Sequence, residues 1–267
     1  MPRQANRDGT PASESPGGPR TVKSAETTFA IVEYLQSSGG AGVTDIADHL
    51  GLAKSSIHAH LVTLCEHGFV AKADGTYRVG LRFLEVGLNE RETRKLYHVV
   101  QPKLTDLAER TDERVWCVIE ENGLGVFLCG ATGEHAVKTD ANPGKRMHLH
   151  YLSGGKAMMA YMPRERVEGV LRKHGLPRKT EHTITDEATL FEELARVRER
   201  GFATDFEESL DGLHTVSAPV LSSEEAPVAA ITVVGAAQRM TPTVCRDELS
   251  HLLLAAANEI ELDMQYS

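Results

Sequence analysis

The sequence predicts an α+β fold with two domains, and three observations support that class. The pattern of residues 43–80 predicts a helix, a tight turn, a second helix and a hairpin, which indicates a winged helix-turn-helix. Beyond residue 110, strand-like runs mix with helical periodicities without strict βαβ alternation, which favours a central antiparallel or mixed sheet flanked by helices. A chain of 267 residues is long enough to bury a core in each domain.

The N-terminal segment, residues 1–19, is rich in Pro, Gly, Ser and Arg and lacks the apolar core of a signal peptide. We expect a disordered tail on a cytoplasmic protein. No apolar run approaches the ~20 residues that cross a bilayer, so no membrane partner is predicted. Four widely spaced cysteines without a CxxC pair predict buried thiols in a reducing compartment; they are Cys65, Cys117, Cys129 and Cys245.

The next segment, residues 20–80, is predicted to form the winged helix-turn-helix. It opens with a helix over about 24–37, which is apolar at Phe29, Ile31, Val32 and Leu35. Thr44 is expected to cap a short helix that Gly51 ends, because the residue after a helix often has the positive φ that glycine adopts at least cost.

The second helix of the motif, about 54–67, is expected to bury Ile57, Leu61 and Leu64, which recur at spacings of four and three. Its outward N-terminal half is polar, and that is the part a helix-turn-helix protein presents to the major groove. Strands over 69–72 and 76–79 would form the wing. The predicted contacts with double-stranded DNA are Lys23, Thr44, Lys54, Ser55, Ser56, His58, His60 and Arg78.

The net charge of −9 is unusual for a protein that binds DNA. Residues 20–90 carry six basic and eight acidic side chains, so phosphate attraction must come from a few placed cations and helix N-termini. Two interpretations fit: a protein that works at high internal salt, as in a halophile, which we favour, or extra charge from histidines 49, 58, 60 and 67 near phosphate.

A linker helix is predicted over residues 81–97, where Leu81, Leu84 and Leu88 recur at helical spacing. Pro102 is expected to start or kink the following helix, inside a C-terminal domain of residues 98–267. In that domain the pattern predicts strands over 115–120, 125–129, 215–220 and 228–234, and helices over 149–162, 186–200 and 247–263.

The chain resembles the isocitrate-lyase-regulator (IclR) family of transcription factors. The segments that carry the resemblance begin at Ile46, Tyr77, Leu149, Arg200, Ser217 and Ala229; they read IADHLGLAKSSIH, YRVGLRFLEVG, LHYLSGGKAMMA, RGFATDFEESLDG, SAPV and AAITVVG. The resemblance implies a C-terminal GAF-like domain that binds a small-molecule effector. It also implies a homodimer or homotetramer on a palindromic operator.

Carried over residue by residue, the effector pocket would be lined by Ser153, Gly154, Gly155, Asp205, Thr215, Thr232 and Val234. Amides at a helix start bind a carboxylate well, and Lys156 could add charge. Thr215 and Val234 stand where small-acid binders of the family carry cysteine and serine. The effector is therefore expected to be an organic acid or sugar-derived intermediate, and it could be larger or less polar than glyoxylate. Trp116, Phe127 and Met147 could line such a pocket, but ordinary core positions are favoured.

Two alternatives remain open. His148 and His150 are expected to alternate on one strand face with His214 nearby, so a metal- or redox-responsive factor could use them with the cysteines. The acidic residues Asp205, Glu207, Glu208 and Asp211 are more simply explained as a solvated loop. An enzyme built on the second domain is disfavoured because no nucleophile elbow, Walker loop, HExxH or dinucleotide fingerprint is present. We therefore expect no catalysis, no metal and no cofactor.

Overall fold

The computed structural model describes residues 21–266, so the predicted tail over 1–19 lies outside the described residues. The chain divides after Val86 into two compact units, which we call the N-terminal unit and the C-terminal unit. Among residues 21–266, no helix is long and apolar enough to cross a membrane.

The N-terminal unit is the predicted winged helix-turn-helix. It consists of α1 (Lys23–Ser38), α2 (Val43–Leu50), α3 (Lys54–Glu66), β1 (Val70–Ala73) and β2 (Thr76–Val79), and the two strands pair antiparallel. Ile31 and Leu35 of α1 meet Ile46 of α2 and Ile57, Leu61 and Leu64 of α3 in one core. The spacing of apolar residues therefore located the inward faces of α2 and α3 correctly.

One expectation for this unit was wrong, and one apolar residue of α1 lies outside the core. Phe29 is 63% exposed, because it lies on the side of α1 away from Ile31 and Leu35. Thr44 does not cap α2: the N-cap residue is Gly42, whose amide donates to Asp45 Oδ2 (3.1 Å). Thr44 instead lies exposed in the first turn.

The segment between the two cores contains two helices, α4 (Arg82–Glu92) and α5 (Lys95–Thr111). The predicted linker helix over 81–97 therefore ends earlier than expected, and residues 95–97 belong to α5. Helix α5 continues through Pro102, so the proline does not start it. Helix α4 contains no buried residue, whereas α5 buries Val100, Leu104 and Leu107 in the core of the C-terminal unit.

The C-terminal unit contains a six-stranded antiparallel sheet in the order β5-β4-β3-β8-β7-β6. Its strands are β3 (Arg114–Glu121), β4 (Leu124–Thr132), β5 (Arg146–His148), β6 (Ala203–Phe206), β7 (Leu213–Leu221) and β8 (Pro227–Ala236). The other helices are α6 (Ser153–Met159), α7 (Arg164–His174), α8 (Glu187–Arg200) and α9 (Ser250–Tyr266). The sequence analysis missed β6 and α7, and of β5 it expected only a strand that runs through His148 and His150.

Strand alternation divides the sheet between two cores. Val115, Cys117 and Ile119 face the helices α5 and α9, whereas Trp116 and Val118 face α6, α7 and α8. The helix predicted over 149–162 is instead a 3-10 turn (Leu149–Tyr151) followed by the short α6, and α9 is preceded by a π-helical turn (Val244–Leu249). The face of the sheet that carries Trp116 and Val118 contains the cavity described below.

Candidate functional site

Helix α3 presents a free surface in the N-terminal unit. Its inner face is fixed by Ile57, Leu61 and Leu64, so the residues between them point outward. The outward residues are Lys54, Ser55, Ser56, His58, Ala59 and Val62. Val62, 41% exposed, was not among the predicted contacts, although it lies four and three residues from His58 and Ala59 on the same side of the helix.

His60 does not belong to this surface. It is half-buried, and its Nδ1 lies 2.9 Å from Thr28 Oγ1 on helix α1. The prediction that His60 enters the groove is therefore corrected, since its position on the helix turns it toward α1. His49 also has a partner within the unit, because its ring stacks on Tyr34 with centroids 4.2 Å apart.

The other predicted DNA contacts are exposed but scattered. Lys23 is the first residue of α1, Thr44 lies in the first turn of α2, and Arg78 lies on strand β2 of the wing. The side chain of Arg78 crosses Gly40, where a Cβ would lie only 2.8 Å from Arg78 Cγ. Gly40 thus lets the wing arginine lie against the turn after α1.

The C-terminal unit encloses a cavity of about 450 Å³ between its sheet and the segments that cover it. Of the seven predicted effector contacts, five line it: Ser153, Gly154, Thr215, Thr232 and Val234. The cavity walls are otherwise mainly apolar, and its volume falls within the ~300–1,000 Å³ of small-molecule pockets.

Strand register explains how these distant residues meet. Thr232 of β8 lies opposite Trp116 of β3 on one side and Ser217 of β7 on the other. The neighbouring row pairs Val234 with Thr215. Because residues two apart on a strand share a face, both rows form the bottom of the cavity. Gly130, opposite Trp116 on β4, leaves room for the indole ring, since a Cβ there would lie 2.4 Å from it.

Four hydroxyl groups form a continuous chain at the bottom of the cavity. Ser153 Oγ is hydrogen-bonded to Thr215 Oγ1 and to Ser217 Oγ (2.6 Å), and Ser217 Oγ is hydrogen-bonded to Thr232 Oγ1 (2.7 Å). The sequence analysis missed Ser217, although the alternation of Thr215 and Ser217 in an otherwise apolar strand signals a polar row on one face.

The two adjacent glycines have different roles. A Cβ on Gly154 would meet Thr232 Oγ1 at 3.0 Å, so this glycine contributes to the cavity wall. A Cβ on Gly155 would lie 2.1 Å from the backbone oxygen of Leu149. Gly155 is therefore a packing residue, and its predicted place in the pocket is corrected.

Asp205 also lies outside the cavity lining. Its carboxylate is fully buried and accepts hydrogen bonds from the amides of Glu208 (2.7 Å) and Ser209 (3.3 Å) and from Ser209 Oγ. Burial raises the pKa of Asp205 above its ordinary value, although Lys156 acts in the opposite direction. Asp205 thus shapes the turn that places Ser209 and Leu210 in the cavity wall.

Lys156 is buried and donates to Glu208 Oε1. Burial raises the pKa of Glu208 to about 7, against the lowering influence of Lys156. Glu208 Oε2 has no hydrogen-bond partner among the described residues. The acidic cluster predicted as a solvated loop is therefore partly an internal charge network behind the cavity.

Trp116, Phe127 and Met147 all line the cavity, although core positions were favoured for them. The rings of Trp116 and Phe127 meet edge to face with centroids 5.3 Å apart. They also belong to the apolar cluster on this side of the sheet. The same residues can belong to the core and line the cavity, because the cavity lies within the apolar core.

The histidines do not assemble a metal site. His148 ends β5 and His150 lies in the following 3-10 turn, so they do not alternate on one strand. His150 Nε2 lies 3.1 Å from the carbonyl oxygen of Pro177, and burial lowers its pKa to about 4. Across residues 21–266, no group of three or more His, Cys, Asp or Glu side chains is arranged to hold a metal ion. The metal-responsive alternative gains no support.

The comparisons with known proteins agree with this geometry. The IclR helix-turn-helix domain matches residues 24–74, and the C-terminal domain of bacterial IclR transcriptional regulators matches residues 91–262. A probable HTH-type transcriptional regulator, ArcR of Halobacterium salinarum, is 27% identical over 259 residues, which covers 96% of this chain and 98% of that protein.

Solved structures resemble both units. Thermotoga maritima IclR superposes with a TM-score of 0.74 at 28% identity, covering 91% of this chain and 99% of that one. An IclR homolog from Microbacterium hydrocarbonoxydans, solved as a complex with 4-hydroxybenzoate, gives a TM-score of 0.75 at 24% identity over 90% of this chain and 100% of that one. The second likeness is one of fold.

Proposed function

The chain belongs to the IclR family of bacterial transcriptional regulators, and we propose that it binds a palindromic operator as a homodimer or homotetramer in the cytoplasm. A small organic molecule in the C-terminal cavity then changes its affinity for that operator. The observation that carries the DNA-binding part is the outer face of α3, which is polar, exposed and supported from behind by a rigid core.

The chemistry of α3 suits the edges of base pairs. Lys54 and His58 can donate to guanine or phosphate, and the serines Ser55 and Ser56 can serve either bases or phosphates. Ala59 and Val62 add a short apolar surface that suits a thymine methyl group. The exposed Lys23 and Arg78 are assigned to contacts with phosphate. With so few cations, each one should account for a large share of the electrostatic attraction.

Exposed apolar residues favour assembly with a second copy. Helix α4 and its approach expose Leu81 (80%), Leu84 (56%) and Leu88 (38%), which recur at helical spacing and form an apolar row of a kind that often marks an interaction surface. A symmetric pair of such helices would cover both rows and would place two α3 helices on the two halves of a palindrome. Sedimentation velocity of the full chain would distinguish a dimer from a tetramer.

Control by a small molecule is supported by the cavity and by the IclR homolog complexed with 4-hydroxybenzoate. For binding to regulate transcription, the molecule must bind the operator-bound and free states with different affinities. Helix α4, which spans the boundary between the units, is the plausible carrier, since rotating it would change the spacing of two wings.

The test is fluorescence anisotropy on labelled fragments from upstream of the chain's own gene and its neighbours. Lys54→Ala combined with His58→Ala should weaken operator binding at least tenfold, because one good base contact contributes ~1–3 kcal/mol. The control pair Lys173→Ala with His182→Ala removes the same residue types from exposed positions in the C-terminal unit. A loss below about twofold in the α3 variant would show that α3 does not read DNA.

A further inference from the structure

Two cysteines lie opposite each other on neighbouring strands of the C-terminal unit. Cys117 of β3 is the direct partner of Cys129 of β4 in the antiparallel register. Such partners point to the same face of the sheet, with Cα atoms about 4.5–5.5 Å apart. A disulfide needs a Cα separation of about 4.4–6.8 Å, so this pair can be joined without a large movement of either strand. The register shifts directly after Cys117, and a bulge of this kind interrupts the ladder beside the pair.

The pair faces away from the cavity. Cys117 and Cys129 belong to the apolar cluster that includes residues of α5 and α9, whereas Trp116 faces the other side of the sheet. Both cysteines are free and buried. The pair therefore has no part in the effector site proposed above, and its chemistry is a separate question.

A cation approaches this cluster from the end of the linker helix α4. The guanidinium of Arg91 lies 4.2 Å from the centroid of the Tyr97 ring, which packs against the cluster. Its Nη2 is bonded to Glu92 (3.2 Å), whereas its Nε is buried and has no hydrogen-bond partner among the described residues. The opposing Cys117 thiol lowers the pKa of Cys129 and the Arg91 charge adds to this, although burial acts in the opposite direction.

These surroundings make Cys129 the reactive sulfur of the pair. The thiolate is the nucleophilic form of cysteine, and a neighbouring arginine favours it. Hydrogen bonding to Cys129 and burial both raise the pKa of Cys117, so Cys117 keeps its proton. The Arg91 side chain is 21% exposed, so the charge that favours the thiolate lies at the border between the core and solvent. A molecule as small as hydrogen peroxide needs only a small opening at this border.

We propose that Cys117 and Cys129 form a peroxide-sensitive thiol pair, and that their oxidation to a disulfide weakens operator binding. The Cys129 thiolate attacks one oxygen of a hydroperoxide, and the O–O bond breaks. The products are a sulfenic acid on Cys129 and an alkoxide or hydroxide, which takes up the proton that the Cys129 thiol had released. The Cys117 sulfur then attacks the Cys129 sulfur, the S–O bond breaks, and water leaves with the Cys117 proton. The two thiols together lose the two electrons that the peroxide gains.

The disulfide changes the contacts that fix the end of α4. In the reduced pair, Arg91 lies near a sulfur that can carry negative charge, whereas neither sulfur of a disulfide can do so. The new bond also brings the sulfurs to about 2.05 Å, which repacks the cluster beneath Tyr97. Arg91 then keeps only Tyr97 and Glu92 as partners, and the last turn of α4 is less firmly fixed. The effect on the operator rests on the proposed function, in which α4 carries the signal.

The test uses the full chain with Cys65→Ser, because Cys65 is half-buried on α3 and its oxidation would disturb the DNA-binding surface directly. Reduced protein is treated with hydrogen peroxide and digested with trypsin and a glutamate-specific protease. The second protease cuts after Glu120 and Glu121, so the fragments that contain Cys117 and Cys129 stay joined only through a disulfide. We expect the joined fragments in the oxidised sample and their separation after dithiothreitol.

Operator affinity of the same samples is measured by fluorescence anisotropy. Oxidation should weaken binding about fivefold or more, the lower end of the usual coupling between two sites, and dithiothreitol should restore it. Cys117→Ala and Cys129→Ala should each abolish both the joined fragments and the change in affinity. If Cys129→Ala does not fold, Cys117→Ala removes the bond from the other strand. Cys245→Ala is the control, because Cys245 lies buried in the same cluster and burial raises its pKa to about 12.

The role of Arg91 is tested by the rate at which peroxide consumes the thiols. Arg91→Gln should slow this reaction about threefold or more at neutral pH, because a pKa higher by half a unit lowers the thiolate fraction by that factor. Arg91→Lys keeps the positive charge and should keep the faster rate. Equal rates in Arg91→Gln and the parent chain would show that Arg91 does not activate Cys129.

Three results would overturn the inference: no joined fragments after peroxide, joined fragments with unchanged operator affinity, or the same loss of affinity in Cys117→Ala as in the parent chain. If the reduced chain binds no operator fragment, the proposed function fails, and the regulatory part of this inference fails with it. The joined fragments still decide the chemistry of the pair in that case.

Discussion

The two units place their candidate sites in opposite ways. In the N-terminal unit the site is the outside of α3, and the core lies behind it. In the C-terminal unit the site is a cavity cut into the core, lined by residues from β3, β4, β7, β8 and the segments between them. An exposed site can be changed without touching the core, whereas a change in the enclosed site alters packing and ligand binding together.

This difference predicts that a mutation in the core of one unit lowers the stability of that unit and leaves the stability of the other unchanged. Leu61→Ala removes a fully buried side chain from the small core of the N-terminal unit and should cost about 2–5 kcal/mol of its stability. Operator binding should then be lost. Urea unfolding followed by Trp116 fluorescence, which reports only the C-terminal unit, should keep its midpoint.

The matched variant is Leu104→Ala, which is equally buried in the C-terminal unit and should shift the Trp116 transition. If Leu61→Ala shifts that transition as strongly as Leu104→Ala does, the units unfold together and the comparison between them breaks down.

The adjacent glycines sharpen the comparison inside the C-terminal unit. Gly155→Ala pushes a methyl group against the backbone of Leu149 and should cost about 3 kcal/mol, the upper part of the usual range for overpacking. Gly154→Leu instead fills the cavity beside Thr232, so we expect it to abolish the ligand response and to leave operator binding without ligand nearly intact. Urea unfolding read from Trp116 measures the cost of Gly155→Ala, and anisotropy with and without 4-hydroxybenzoate measures the response of Gly154→Leu. A normal response in Gly154→Leu would remove this glycine from the site.

These glycines also show how far sequence could reach. The spacing of Ile57, Leu61 and Leu64 predicted the buried face of α3, because a helix fixes the direction of each residue from its position alone. Ser153-Gly154-Gly155 gave no comparable information, because the backbone of Leu149 decides which glycine faces the cavity. Trp116 could be recognised as buried, but only the register of β3, β8 and β7 shows that it borders a space.

The internal charges of the C-terminal unit should make its stability depend on pH. Burial raises the pKa of Glu208 from 4.5 to about 7, so the folded state binds this proton more tightly than the unfolded state does. The contribution of Glu208 to stability should therefore fall by about 2 kcal/mol as pH rises from 5 to 7, whereas His150, whose buried ring has a pKa lowered to about 4, contributes in the opposite direction over this range. Urea midpoints read from Trp116 at several pH values measure the slope. Glu208→Gln should remove the falling contribution and make the slope more positive, although the variant is less stable because Lys156 loses its partner. Exposed Glu181→Gln should keep the slope, and an unchanged slope in Glu208→Gln would assign it to another group.

The smallest expected effect concerns His60. The sequence analysis assigned it to the DNA-binding surface, although it lies three residues from the buried Ile57 and four from the buried Leu64. The structure packs it against α1, where its Nδ1 is bonded to Thr28. His60→Ala should therefore cost the N-terminal unit about 0.5–1.5 kcal/mol of stability, measured by hydrogen exchange of α1 amides, and should leave operator affinity nearly unchanged. Thr28→Ala should reproduce the stability loss, since it removes the same hydrogen bond. If His60→Ala instead loses tenfold or more in operator affinity while Thr28→Ala does not, His60 contacts DNA and the boundary between the outer and inner faces of α3 has to be redrawn.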